Sequence, residues 1–178
     1  MMWRIFRLIN KRQRGLTLIE LLVALAITGA IAGGISLSIF QTLDYNARGN
    51  ARMTAVKQVE NAIHYIIRDV QMSQLVEPEA FPDDDGFPLI LTWVEWDNTV
   101  NVITYSIVDN ELLRSHSLNG GSATEQVMAR YIDSDPANTH CEFNETDWVF
   151  DLKVTAAVTG YPETISEVRE ITVTPRPN

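Results

Sequence analysis

The N-terminal part of the chain contains a long apolar run that begins at Leu16 and continues to Phe40. One acid, Glu20, lies near its start, and no further charged residue occurs until Asp44. The charge-free run 21–43 has 23 residues. As a helix it would be about 34 Å long, and the hydrocarbon core of a bilayer is about 30 Å thick. The pattern therefore predicts a helix that is able to span a membrane.

From Ala47 to about Val76 the apolar residues recur at steps of three and four, which is the period of an amphipathic helix. This apolar stripe comprises Val56, Val59, Ile63, Ile66 and Val70, widened by Ala55, Ala62 and Ile67. The charged residues that mostly lie off the stripe are Arg52, Lys57, Glu60, Arg68 and Asp69. We interpret this segment as the outer half of one long helix whose apolar face lies on a sheet. Pro78 and Pro82 are expected to end it, because proline breaks helices.

The remaining chain alternates turns with short segments that are rich in β-branched and aromatic residues, which indicates strands. About six strands are predicted, at residues 88–96, 100–108, 111–118, 126–132, 148–159 and 168–174. Residues 133–144 are polar and are predicted to be irregular. Because the strands are grouped rather than alternating with helices, the fold class is α+β, with a long helix packed on an antiparallel sheet.

The charge is divided unevenly along the chain. Residues 1–15 hold five basic residues and no acid, namely Arg4, Arg7, Lys11, Arg12 and Arg14. Residues 16–178 hold 9 basic and 23 acidic residues, which gives a net charge of −14. Positive charge before a membrane span keeps that end in the cytoplasm, so the acidic bulk is predicted to lie outside. An acidic exterior argues against DNA or anionic lipid as the main ligand.

The junction between the basic leader and the apolar run reads Gly15-Leu16-Thr17-Leu18-Ile19-Glu20-Leu21-Leu22-Val23-Ala24. This stretch resembles the N-terminus of the type IV prepilins and of the pseudopilins of type II secretion. The family pattern is a glycine, usually a phenylalanine, and then Thr-Leu-Ile-Glu-Leu-Leu-Val-Ala. Leu16 takes the place of the phenylalanine, which the family tolerates. The resemblance is short but specific, and it implies a pilin-like fold.

The resemblance implies that a prepilin peptidase cuts after Gly15 and methylates the new N-terminus at Leu16. It also implies that the Glu20 carboxylate pairs with the terminal amine of a neighbouring subunit in a filament. An acid in lipid is expensive without such a partner. The expected organisation is a leader at 1–15, a membrane and assembly half-helix at 16–43, and an amphipathic helix with a β head at 44–178. The implied partners are other pilins or pseudopilins, the peptidase and an inner-membrane assembly platform.

Two other interpretations of the N-terminus stay open. Ala30-Ile31-Ala32 before Gly33 could be the cleavage site of an ordinary signal peptide. The apolar run is longer than the roughly 7–15 residues of a signal core, which disfavours this. The other alternative is a simple membrane anchor in which Glu20 lies at the interface without a specific role.

An acidic run, Asp83, Asp84 and Asp85, precedes Gly86 and is the closest approach to a cation site. Calcium takes about six to eight oxygen ligands, and this run supplies only a few of them. The run is therefore expected to be a solvated turn, with calcium as the weaker alternative and no other cofactor.

The remaining reactive side chains give no sign of catalysis. Cys141 is the only cysteine and is expected to be a buried thiol rather than an intermolecular disulfide. The histidines, His64, His116 and His140, are scattered along the sequence. Because no nucleophile set, nucleotide loop or metal cluster is apparent, we expect no enzyme activity.

Within the family, residues 64–70, 105–114 and 173–176 resemble the J-type minor pseudopilins. The expected function is a minor pseudopilin or pilin subunit that helps to initiate or tip a type II secretion pseudopilus or a type IV pilus-like filament. The expected location is the cytoplasmic membrane, crossed once. The alternatives are a minor pilin of a surface fibre for adhesion or DNA uptake, and a membrane-anchored binding domain. No nucleic-acid partner is expected.

Overall fold

A computed structural model describes residues 17–79, 86–159 and 163–176. Within these ranges one helix is followed by eight strands, and the chain divides between Tyr45 and Asn46 into two compact units. The helix, α1, spans Leu18–Met72. The predicted leader, the cleavage residues Gly15 and Leu16, and the acidic run 83–85 lie outside the described residues.

In the N-terminal unit, α1 exposes its apolar side chains, including Leu22, Ile31 and Phe40. Its most apolar window has a mean hydropathy of 2.2, and within the described ranges α1 alone is long and apolar enough to cross a membrane. Four hydroxyl groups donate to the carbonyl oxygen four residues earlier, those of Thr28, Ser36, Ser38 and Thr42. Their donors are thus satisfied inside the helix, as an apolar environment requires.

In the C-terminal unit, α1 buries one face. The buried residues are Ala51, Ala55, Val59, Ala62, Ile66, Asp69 and Val70. The predicted apolar stripe is confirmed with a small rotation, because Val56 and Ile63 are only half-buried. Asp69 was predicted to lie off the apolar face, and this prediction was wrong, because the residue is buried and only 1% exposed.

The predicted end of the helix at about Val76 was wrong. α1 ends at Met72, where Ser73 N donates to Asp69 O at 3.0 Å and Ser73 Oγ donates to Val70 O at 2.7 Å. The chain then enters strand β1 at Leu75–Glu79, which the sequence analysis missed. β1 is an edge strand, and an edge strand tolerates a proline such as Pro78 because one side of its backbone needs no partner.

Five strands form an antiparallel sheet in the order β1-β2-β3-β4-β5. After β1 these are β2 Gly86–Val94, β3 Val100–Val108, β4 Glu111–Leu118 and β5 Thr124–Arg130. The predictions for β3 and β4 are confirmed at both ends, and those for β2 and β5 are displaced by two residues. Alternate side chains of β2 and β3 are buried in the core, including Leu89, Leu91, Trp93, Ile103 and Tyr105.

Three further strands form a second antiparallel sheet in the order β6-β7-β8. They are β6 His140–Asn144, β7 Val149–Thr159 and β8 Thr164–Val173. β6 lies within the segment 133–144 that was predicted to be irregular, so that prediction was wrong for residues 140–144. β8 begins at Thr164, before the predicted residue 168. Phe150, Leu152 and Val154 of β7 join one core cluster with α1 and the larger sheet. The fold is thus α+β and pilin-like, with two sheets where one was predicted.

Candidate functional site

Thr17 and Glu20 together form the start of α1. Glu20 Oε2 accepts hydrogen bonds from Thr17 N at 2.9 Å and from Thr17 Oγ1 at 3.0 Å. In return, Thr17 Oγ1 accepts a hydrogen bond from Glu20 N at 3.3 Å. This reciprocal pattern is a capping box, in which each side chain satisfies a backbone N–H that the helix itself cannot satisfy. The cap was not among the predicted features, although the Thr-x-x-Glu spacing before an apolar run is its sequence signal.

The cap holds the Glu20 carboxylate at the helix N-terminus, where the helix dipole favours negative charge. In the described part of the chain, the side-chain hydrogen bonds of Glu20 both involve Oε2, and no ion pair includes this carboxylate. Oε1 can therefore still accept a hydrogen bond from a donor outside the helix. The carboxylate is fixed in position by Thr17 and can still bind a second, cationic group.

A second polar cluster, which the sequence analysis did not predict, surrounds Asp69 in the head. Arg114 Nε donates to Asp69 Oδ2 at 2.6 Å, and the Tyr105 hydroxyl donates to the same oxygen at 2.7 Å. Arg68 donates to Asp69 Oδ1 from Nε at 3.2 Å and from Nη2 at 3.1 Å. Both oxygens of the buried carboxylate therefore have protein donors, and the cluster joins α1 to β3 and β4.

The groups in this cluster keep each other in the protonation states that their hydrogen bonds require. Burial, followed by the charge of Asp69, raises the pKa of Tyr105, so the phenol stays protonated and remains a donor. Burial by itself would lower the pKa of Arg114, but the hydrogen bond and the charge of Asp69 outweigh it and raise that pKa above its ordinary value. A buried ion pair is tolerable when its hydrogen bonds are complete, as they are here. The arrangement stabilises the head rather than presenting a carboxylate to a ligand.

The other candidate residues are not assembled into a reactive group. The three histidines lie on separate elements, His64 on α1, His116 on β4 and His140 on β6. Cys141 is buried, as predicted, and its thiol donates to the Gly86 carbonyl at 3.1 Å. Over residues 17–79, 86–159 and 163–176, no three His, Cys, Asp or Glu residues are grouped so that they could hold a metal ion.

Comparison with protein families gives one match. The family described as the prokaryotic N-terminal methylation motif matches residues 10–36, a range that includes Gly15, Leu16 and the Thr17–Glu20 cap. No curated protein and no solved structure matches the chain. The matched range ends within α1, so it gives no information on the β strands of the head or on the J-type assignment.

Proposed function

Because the chain carries the prepilin-type methylation motif of the type IV prepilins and pseudopilins, we propose that it is a minor subunit of a pilus-like filament. In this role it helps to initiate or tip a type II secretion pseudopilus or a related fibre. The observation that carries the proposal is the position of Glu20, which is held at the first turn of a helix that is able to span a membrane.

The proposed maturation starts at the peptide bond between Gly15 and Leu16. A prepilin peptidase hydrolyses this bond with one water molecule. It then transfers a methyl group from a sulfonium methyl donor to the amine of Leu16, which releases one proton. The amine of one subunit then pairs with the Glu20 carboxylate of its neighbour, which removes the cost of an unpaired acid in the membrane. Because Thr17 occupies Oε2, the neighbour's amine binds at Oε1.

The proposed location follows from the distribution of charge along the chain. The basic leader stays in the cytoplasm, and the acidic head crosses to the outside of the cytoplasmic membrane.

We assign the chain to the J-type minor pseudopilins on the sequence resemblance of residues 64–70 and 105–114. These two segments supply Asp69, Tyr105 and Arg114 of the buried cluster. We propose no catalytic activity, no cofactor and no nucleic-acid ligand.

A surface fibre for adhesion or DNA uptake is the alternative function. The net charge of −14 over residues 16–178 disfavours direct contact with DNA, because binding to phosphates requires Lys and Arg. Secretion and piliation assays on a strain that lacks the gene distinguish the two functions. Loss of protein secretion would indicate the secretion pseudopilus, and loss of surface fibres would indicate the alternative.

Incorporation into filaments tests the proposal. Filaments sheared from cells are assayed for the wild-type chain, for Glu20→Ala and for Asp44→Ala. Asp44 is the matched control, because it is the next acid along α1 and is also exposed. We expect Glu20→Ala to remain in the membrane but to fall at least about tenfold in the filament fraction, since a lost charge pair of 1.4 kcal/mol or more gives that factor. Equal incorporation of Glu20→Ala and the wild type would contradict the proposal.

A further inference from the structure

The turn between β2 and β3 carries the most exposed large apolar side chain among the described residues. Trp96 is 95% exposed there. A tryptophan in water forgoes a large burial energy, and tryptophan is enriched among the few interface residues that contribute most of the binding energy.

The turn that presents Trp96 is ordered by its own hydrogen bonds. Glu95 N donates to Thr99 O at 2.9 Å, and Asn98 N donates to Glu95 O at 3.0 Å. Asp97 Oδ1 accepts from Thr99 N at 2.9 Å. A preorganised turn loses less backbone freedom when it binds, so the turn is suited to present Trp96 as an anchor.

The turn belongs to a continuous end of the five-stranded sheet. Gln74 Oε1 accepts from Val94 N at 3.1 Å, which joins the start of β1 to the end of β2. Asn119 Oδ1 accepts from Val100 N at 2.8 Å, which joins the end of β4 to the start of β3.

Two more apolar side chains at this end are between two fifths and one half exposed, Leu75 and Val94. Both lie on the face of the sheet opposite the core, because Leu75 pairs with Thr92 and Val94 follows Thr92 by two residues. We call these two residues, with Trp96, Glu95 and Asp97, the Trp96 surface.

The border of the Trp96 surface is acidic. Glu95 and Asp97 flank the tryptophan, and neither forms an ion pair within the described part of the chain. The hydrogen bonds from Thr99 lower the pKa of Asp97, so this carboxylate is ionised at neutral pH. An apolar centre with an acidic border is complementary to an apolar pocket with a basic border.

We propose that the Trp96 surface is the docking site for a different protein, which offers an apolar pocket bordered by lysine or arginine. The acidic border repels an anionic membrane surface. The net charge of −14 over residues 16–178 disfavours a second copy of this chain. The inference depends on the head alone and does not require the proposed processing of the N-terminus.

Site-specific photo-crosslinking of the full chain in its native cell tests this site. A benzophenone amino acid replaces Trp96, and a control chain carries it at Glu145, an exposed turn residue between β6 and β7. We expect one discrete adduct from position 96, with a cross-linked peptide that contains basic and apolar residues. An adduct with lipid, with glycan or with a second copy of this chain would overturn the proposal. The same holds for no adduct, or for the same adduct from position 145.

The affinity for the cross-linked protein provides the second measurement, made with the purified full chain in detergent. We expect Trp96→Ala to raise the Kd about thirtyfold, as is usual for a central tryptophan, and Glu95→Lys with Asp97→Lys to raise it about tenfold. Val168→Ala on β8 is the control, since Val168 is exposed and lies on the other sheet. Unchanged affinity of Trp96→Ala would overturn the proposal.

Discussion

At the residue scale, Asp69 shows how one carboxylate joins three elements of the head. It lies on α1 and accepts hydrogen bonds from Tyr105 on β3 and Arg114 on β4. A buried charge that loses its partner costs far more than an exposed pair contributes. The stability of the head is therefore expected to be more sensitive at this position than at any surface ion pair.

We predict that Asp69→Asn lowers the free energy of unfolding by about 3–5 kcal/mol, because it leaves the Arg114 guanidinium partly buried without its counter-ion. Tyr105→Phe should cost about 1 kcal/mol, the value of one hydrogen bond. Denaturation of the full chain in detergent, followed by tryptophan fluorescence, measures both changes. Arg130→Ala is the control, since the Arg130 side chain is exposed in its 3.3 Å pair with Glu111, and the loss of this pair should cost less than about 1 kcal/mol. Similar losses for Asp69→Asn and Arg130→Ala would refute this role of Asp69.

A second prediction at this scale concerns the helix cap. Thr17→Val removes the hydroxyl that bonds to both Glu20 N and the Glu20 carboxylate. Loss of an N-cap costs about 1 kcal/mol, so hydrogen exchange at the first-turn amides should accelerate about fivefold. Thr28→Val is the matched control, because the Thr28 hydroxyl bonds to the Ala24 carbonyl and takes no part in the cap. If the first turn exchanges equally fast in both variants, the cap does not stabilise it.

At the element scale, prediction from the sequence succeeded where local signals agreed. β3 and β4 were placed correctly because alternation and an Asp109-Asn110 turn indicated the same hairpin, and both turn residues have the positive φ that such a turn requires. β1 was missed because Pro78 was taken as a helix breaker, whereas its strand lies at an edge. β6 was missed because polar residues dominate His140–Asn144, and only its partner β7 makes it a strand.

The prediction at the element scale concerns Gly86, the first residue of β2. Gly86 has a φ of +77°, and a Cβ there would collide with the carbonyl oxygen of Cys141 on β6. Gly120 has a similar φ of +70° but open space around it. Gly86→Ala should therefore lower the free energy of unfolding by about 3 kcal/mol or more, and Gly120→Ala by about 1 kcal/mol. Thermal or denaturant unfolding compares them, and equal losses would show that the approach of β2 to β6 tolerates a side chain.

At the scale of the whole molecule, the two compact units differ in how far the sequence predicts them. The motif and the charge-free run identify the membrane-capable helix and Glu20 directly, since these are local features. The Asp69 cluster could not be predicted, because it depends on which helix residue faces which strand. The Trp96 surface was also missed, since neither exposure nor a shared sheet end is a property of sequence spacing.

The central claim is that the chain is a processed prepilin-type subunit, and the mature N-terminus tests it most directly. Mass spectrometry of the protein from its native membrane reads this terminus. We predict a chain that begins at Leu16 and carries one methyl group on its amine. A chain that begins at Gly33, or an uncut chain in a cell that contains the peptidase, would contradict the claim.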